Sequence, residues 1–170
     1  MGIFLSILFL LIALLLLFWQ TSNIYSILAG APYVSVDLAA MRQALKLANF
    51  KKGEIFYELG CGAGNVLLEA QKYGIQVVGY EVSPWYFLLA KLRTLRYKNI
   101  KIVYKDVRQV DLGPADVIYC YLLPELLEQL TVQFGRAIKL KKRIISISFA
   151  VPGLKPKSIT VFQKHKIFIY

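Results

Sequence analysis

The chain has 170 residues, a formal net charge of +11 and 57% apolar side chains, and all 31 charged residues (21 Lys plus Arg, 10 Asp plus Glu) lie after position 36, beginning at Asp37. The stretch after that point, about 130 residues and half apolar, is one domain's worth of chain, which excludes a disordered protein, a collagen-like repeat and a two-domain enzyme. Cys61 and Cys120, with no C-x-x-C spacing, give neither a disulfide framework nor a zinc site and suit a reducing compartment.

From Ile3 to Trp19 the sequence is apolar except for Ser6, a length near the lower limit for a helix that crosses a bilayer. Residues 1–22 are therefore expected to form a transmembrane anchor, with Trp19 and Tyr25 at the interface. The positive charge that follows keeps the folded part on the cytoplasmic or matrix side. A cleaved signal peptide fits less well. Ala29-Gly30-Ala31 resembles a cleavage site, but no basic segment precedes the apolar run, which exceeds the usual about 7–15 residues. Residues 23–36 read as a linker and cofactor-access loop, too polar from Gln20 onward to continue the span and punctuated by Gly30 and Pro32.

Residues 37–170 then carry the folded domain. Ser35 or Asp37 can cap a first helix with Leu38, Met41, Leu45 and Ala48 on one face. Strand I-F-Y-E-L runs into the glycine-rich G-C-G-A-G of Gly60 to Gly64, and a helix from Asn65 to Tyr73 and strand I-Q-V-V-G-Y-E follow. Ser83-Pro84 opens a helix whose Trp85, Leu88, Leu89, Leu92 and Leu95 form one apolar stripe. Next come strand I-K-I-V-Y, strand D-V-I-Y-C-Y from Asp116, a helix after Pro124 with Leu126, Leu127, Leu130 and Phe134, and strand R-I-I-S-I-S-F-A. Such alternation predicts a parallel sheet covered on both faces. No crossover helix fits before S-I-T-V-F, and Gln163 to Lys166 joins it to K-I-F-I-Y, so the chain closes in an antiparallel hairpin. His165 falls in that turn and reads as a solvated residue.

In an open α/β sheet, ligands bind outside the carboxyl ends of the strands where strand order reverses. Three predicted strand ends carry suitable groups. The first offers Glu58, then glycines at 60, 62 and 64; the second ends in Glu81, a carboxylate able to accept both hydroxyls of a ribose; the third reaches Asp106, able to take a purine amino group. Taken singly, the glycines make a tight turn, Asp106 a helix cap and Ser83 a cap. Together, in this order, they point to a nucleoside site. The spacing departs from the G-x-G-x-x-G/A of dinucleotide binders.

With E-L-G-C-G-A-G, G-Y-E and K-D-V in place, the sequence resembles the class I S-adenosylmethionine-dependent methyltransferases over nearly all of residues 32–170. The resemblance implies a Rossmann-like, seven-stranded α/β sheet, mostly parallel with a C-terminal antiparallel hairpin, preceded here by the transmembrane helix. It assigns Glu58, Gly60, Gly62 and Gly64 to the methionine end and ribose of S-adenosyl-L-methionine, Glu81 to the ribose, and Asp106 and Val107 to the adenine, with Cys61, Asn65 and Val82 beside them in the cofactor-binding set. Tyr33 and Tyr119 join the cofactor-binding set. A narrower resemblance, in A-P-Y-V, G-Y-E-V-S-P-W and Y-L-L-P-E-L-L-E-Q-L, is to the small membrane-anchored lysine methyltransferases of mitochondria that modify the adenine nucleotide translocase and the c subunit of ATP synthase, and to their prokaryotic relatives. That family tends to carry Pro and Thr after P-Y/F-V, where this sequence has Ser35 and Val36.

The family reaction needs a nucleophile aligned with the methyl group and shielded from water, and no metal is expected. A lysine must arrive neutral, and an apolar or aromatic channel lowers its pKa by desolvation. Tyr121, Leu123 and Pro124, with Leu122 between them, are the channel residues this fold implies. The basic excess would also suit nucleic acid, yet the fourth strand end reads Y-C-Y-L-L-P, lacking the N-P-P-Y-type and Pro-Cys sequences of base methylation, so no nucleic-acid partner is expected. Anionic headgroups of the lipid bilayer are the simpler partner, at about 1 kcal/mol per nearby basic residue. The expected acceptor is a lysine of a membrane protein, and a lipid, a quinone or another small apolar molecule is the alternative.

Overall fold

The computed structural model describes residues 2–30, 34 and 37–170; Tyr33 and Ser35 therefore lie outside the described residues. The first helix, α1, spans Gly2–Leu28. It continues through the segment from Gln20 that composition assigns to a linker. Its polar groups are accommodated locally: Thr21 Oγ1 donates back to the Leu17 carbonyl at 3.0 Å, and Ser22 docks on the folded domain. The helix stops at Gly30, whose φ of 74° is the left-handed conformation common just past a helix end.

Helix α2 (Leu38–Leu47) is capped by Asp37, whose Oδ1 accepts from the Ala39 and Ala40 amides at 2.8 and 3.0 Å. Its Met41, Ala44 and Leu45 are buried, and Ala48 just beyond it, whereas Leu38 is exposed. The remaining elements are β1 (Ile55–Leu59), α3 (Asn65–Ala70), β2 (Gln76–Glu81), α4 (Pro84–Thr94), β3 (Ile100–Tyr104), β4 (Val117–Cys120), α5 (Pro124–Lys139), β5 (Arg143–Ile147), β6 (Ser158–Phe162) and β7 (His165–Ile169). They build one seven-stranded sheet in the order β3-β2-β1-β4-β5-β7-β6. The first five strands in that order are parallel, and β7 is antiparallel to both β5 and β6. The expected fold class and closing hairpin are thus observed.

Two apolar layers flank the sheet. Met41, Leu45, Val66, Leu67 and Ala90 of α2, α3 and α4 lie in one; Leu126, Leu127, Leu130 and Phe134 of α5 lie in the other. The leucine stripe expected to bury α4 does not do so. Ala90 and Thr94 face inward, while Leu88, Leu92 and Leu95 are 47%, 67% and 75% exposed. The reason is steric: α4 lies so close to the loop before α3 that a Cβ on Gly64 would be 3.5 Å from the Ala90 Cβ and 3.7 Å from the Thr94 Cγ2. Leucines cannot occupy that gap.

The hairpin also differs from expectation. Its turn is only Gln163 and Lys164, with Gln163 at φ 51°, so His165 enters β7. It is buried, its Nδ1 lies 2.9 Å from Ser148 Oγ, and its ring meets Tyr121 edge-on at 6.4 Å between centroids.

Candidate active site

Strands β1 and β4 are neighbours, yet the helices that follow them cover opposite faces of the sheet. The connections diverge there and leave a crevice at the carboxyl ends of the strands, where ligands of such sheets bind. The cleft found at this place is lined by Glu58, Gly60, Cys61, Gly62, Ala63, Asn65 and Val66 from the first strand end. Glu81, Val82 and Tyr86 come from the second, Asp106 and Val107 from the third, and Tyr119, Tyr121, Leu122, Leu123 and Leu126 from the fourth. Phe149 closes one side, and Ser26, Ala29 and Val34 contribute from α1 and the segment after it.

The glycine loop turns where β1 ends. Gly60, Gly62 and Gly64 have φ of 77°, 51° and 79°, a region where a Cβ is strained, and the Gly60 and Cys61 amides donate to the Tyr80 carbonyl at 3.0 and 2.9 Å. The loop is thereby stitched to β2. Gly79 makes the approach possible, because a Cβ there would stand 2.5 Å from Leu67 Cδ1 and 2.8 Å from Cys61 Sγ. Gly79→Ala is therefore expected to cost about 1–3 kcal/mol through overpacking, read as a lower urea midpoint with an unchanged slope. An unchanged midpoint would count against this packing.

Glu81 is held rigidly at the end of β2. Its Oε2 accepts from the Gly62 amide at 2.7 Å, and its Oε1 from the Val82 and Ser83 amides at 2.9 and 2.8 Å. Burial raises its carboxyl above the ordinary range, and those three amides oppose the shift. Glu58 is more extreme. It is 4% exposed, and burial pushes its carboxyl well above the usual value, with the Glu81 carboxyl adding to the effect. In the parallel register Glu58 lies beside Tyr119. Burial raises the Tyr119 hydroxyl, and the Glu58 carboxyl raises it further. Cys61 is buried too, its thiol pushed up by burial and then by both carboxyls, so it is a neutral wall of the loop and no nucleophile.

Among the described residues, five buried side-chain polar atoms have no hydrogen-bond partner, and three of them, Ser26 Oγ, Glu58 Oε2 and Tyr119 Oη, belong to residues of this cleft. Leaving such a group unpaired costs about 1–3 kcal/mol. Three at one place mark positions for ligand polar groups, and a ligand with both cationic and hydroxyl groups fits them.

Asp106 performs the cap that its sequence position suggests. Its Oδ1 accepts from the Arg108 amide at 2.9 Å, and its carboxylate pairs with the Arg108 guanidinium, with Nε at 2.9 and 3.0 Å from the two oxygens. That guanidinium holds the Asp106 carboxyl below its usual range. Ser83 is likewise a cap, accepting from the Tyr86 amide. Of the residues singled out from sequence, Gly64 and Pro124 stand outside the cleft lining: Gly64 caps α3 and packs on α4, and Pro124 is an exposed first residue of α5. Sequence reasoning passed over Ser26, Ala29, Tyr86 and Phe149. A signal for Ser26 was present, since Ser22 and Ser26 stand four apart and so share one face of the helix.

Comparison with known proteins agrees with this geometry. Over 149 residues the chain is 26% identical to a protein-lysine N-methyltransferase of Saccharolobus islandicus, covering 82% of this chain and 92% of that one. It is 25% identical over 131 residues to the Xenopus laevis lysine N-methyltransferase named for the c subunit of ATP synthase, covering 75% of this chain but only 58% of the relative. An RNA methyltransferase from Salinibacter ruber, solved with S-adenosyl-L-homocysteine, shares the fold with a TM-score of 0.71 at 20% identity, over 81% of this chain and 92% of that one. Residues 58–158, from the buried carboxylate of β1 to the start of the closing hairpin, match the model of the ANTKMT methyltransferase domain, and the chain belongs to that family.

Proposed function

We propose that this chain is a membrane-anchored, S-adenosylmethionine-dependent methyltransferase that N-methylates a lysine of a membrane protein. The observation that carries this reading is the joining of the family's cleft to an inside-out helix. Along Gly2–Leu28 only Ser22 and Ser26 are buried, and the large apolar residues from Ile3 to Leu17 are all exposed. Such a helix is long and apolar enough to cross a membrane. The exposed leucines of α4 stand on a helix that begins against α1, with the rings of Phe18 and Trp85 6.0 Å apart. An apolar stripe flanked by Lys91 and Arg96 suits the headgroup boundary, and the charge of +11 favours anionic lipid.

When bound, the cofactor supplies a methyl group already activated by its sulfonium. The residues then divide the remaining work. Glu58, beside Tyr119, receives the ammonium of the methionine end; Glu81 accepts the ribose hydroxyls; Asp106 and Val107 flank the adenine. Tyr121, Leu122 and Leu123 at the end of β4 form the collar through which the lysine enters. Desolvation there favours the neutral amine, and confinement aligns it for in-line attack. The acceptor class is supported by the relatives named for lysine methylation, one of them for a lysine of an ATP synthase component.

The test incubates the full chain with methyl-labelled cofactor and detergent-solubilised membranes. The expected result is a labelled protein band whose label maps to lysine by peptide mass spectrometry, with the enzyme itself resisting carbonate extraction from intact membranes. Label confined to the lipid extract would replace the protein acceptor by a lipid one, and release of the enzyme by carbonate would remove the anchor.

A further inference from the structure

We propose that the inner end of α1 is a wall of the cofactor site, and that the Ser26 hydroxyl hydrogen-bonds the adenosine part of the cofactor. This rests on the reading of the cleft given above and assigns a residue to it from outside the methyltransferase domain proper.

The hydroxyls along α1 divide into three kinds. Ser6 and Thr21 donate back to carbonyls four residues earlier, Gly2 at 3.1 Å and Leu17 at 3.0 Å, the usual solution for a hydroxyl on an apolar helix. Ser22 docks the helix on the enzyme: its Oγ lies 2.7 Å from Ser83 Oγ and accepts from the Trp85 amide at 2.9 Å. Ser26, one turn further on the same face, does neither. It is 2% exposed, its Oγ has no partner among the described residues, and it lines the cleft with Glu81 and Asp106.

Its neighbours fix which part of the ligand it meets. Ser22 is tied to Ser83, two residues past Glu81, and Tyr25 lies near enough to Tyr104, at the end of β3 and two residues before Asp106, to add to the upward shift that burial gives the Tyr104 hydroxyl. These ties assign Ser26 to the β2 and β3 side of the cleft, whose strand ends carry the acceptors for ribose and adenine. A hydroxyl can donate to a ribose or purine acceptor or accept from a ribose hydroxyl or an exocyclic amine, which a buried alanine cannot. The helix that enters the membrane thus also completes the nucleoside pocket.

The experiment uses the full chain in lipid nanodiscs and calorimetric titration with two probes, S-adenosylhomocysteine and 5′-methylthioadenosine, the second lacking the amino-acid end. Ser26→Ala is expected to weaken both by the same factor, about 2- to 10-fold for one neutral hydrogen bond, while the melting temperature of the cofactor-free protein stays level or rises because an unpaired buried hydroxyl is removed. Unchanged affinity for both probes, a loss confined to S-adenosylhomocysteine, or a loss accompanied by a lower cofactor-free melting temperature would each overturn the assignment. Glu81→Gln run alongside separates the two readings. If it weakens binding and Ser26→Ala does not, only the role of Ser26 fails; if neither does, the cleft is not the cofactor site.

Discussion

Glu81→Gln is expected to weaken S-adenosylhomocysteine binding by at least about 100-fold, because two effects act together. A carboxylate accepting from two ribose hydroxyls makes two charge-assisted bonds, each worth about 1.5–3 kcal/mol, and the amide loses that charge. The second effect comes from the protein itself. Both oxygens already accept backbone N–H groups, Oε2 from Gly62 and Oε1 from Val82 and Ser83, so whichever way the amide turns, its NH₂ faces a donor. With the NH₂ toward Gly62, the Gly60–Gly64 loop loses one of the contacts that tie it to β2, beside those of the Gly60 and Cys61 amides with the Tyr80 carbonyl; with the NH₂ on the other side, the turn at Val82 and Ser83 loses its acceptor. Calorimetry on the full chain measures the first effect and thermal melting of the cofactor-free protein the second. An affinity within about 3-fold of wild type, under 1 kcal/mol, would mean that Glu81 only braces the loop.

The order of strand ends was legible because each carries a residue type that its backbone or charge demands. Gly60, Gly62 and Gly64 occupy positive φ, and Glu58 and Glu81 are buried carboxyls on the strand ends that flank the crevice. The closing hairpin was legible from the absence of room for a crossover helix. What pattern alone misread was which apolar face is used. Leu88, Leu92 and Leu95 have core spacing, but the gap above Gly64 admits only Ala90 and Thr94. Periodicity identifies a face without saying whether protein or lipid covers it. His165 was misread for a related reason: the two-residue turn that draws it into β7 depends on Gln163 adopting positive φ, which its residue type does not announce.

The same ambiguity explains α1. Composition reads Gln20 to Asn23 as the end of a span, because those residues are polar and no buried partner is visible along the chain. In three dimensions Ser22 meets Ser83 across 61 residues of sequence, and that contact carries the helix on to Leu28. A polar residue on a long apolar helix therefore has two different meanings, solvent or a docked domain, and the fold decides between them.

Glu58 yields a second large effect, whose sign follows from its burial. In the cofactor-free protein its carboxyl is raised well above the usual range by burial and by Glu81, whereas in the unfolded chain it titrates near about 4.3. A group raised in the folded state contributes stability that is complete below its unfolded value and is lost as pH rises toward and through its folded value. The cofactor-free protein is therefore expected to become less stable as pH rises above the ordinary carboxyl range. An ammonium placed beside Glu58 reverses the preference and favours the carboxylate. Binding must then release a proton in the window between the bound and free values, and affinity must rise with pH across it. Glu58→Gln removes the titration while keeping the side chain's shape. The variant is expected to show no Glu58-linked loss of stability, to be more stable than wild type at neutral pH without cofactor, and to bind S-adenosylhomocysteine about 10- to 100-fold more weakly at the alkaline end, the worth of one charge-assisted bond. Melts from about pH 5 to about pH 9 test the first two, and calorimetry in buffers of different ionisation enthalpy tests the proton release. A wild-type stability profile parallel to that of Glu58→Gln would show that burial does not raise Glu58 in the cofactor-free protein, and binding heats independent of buffer would show that the ammonium of the cofactor does not reach it.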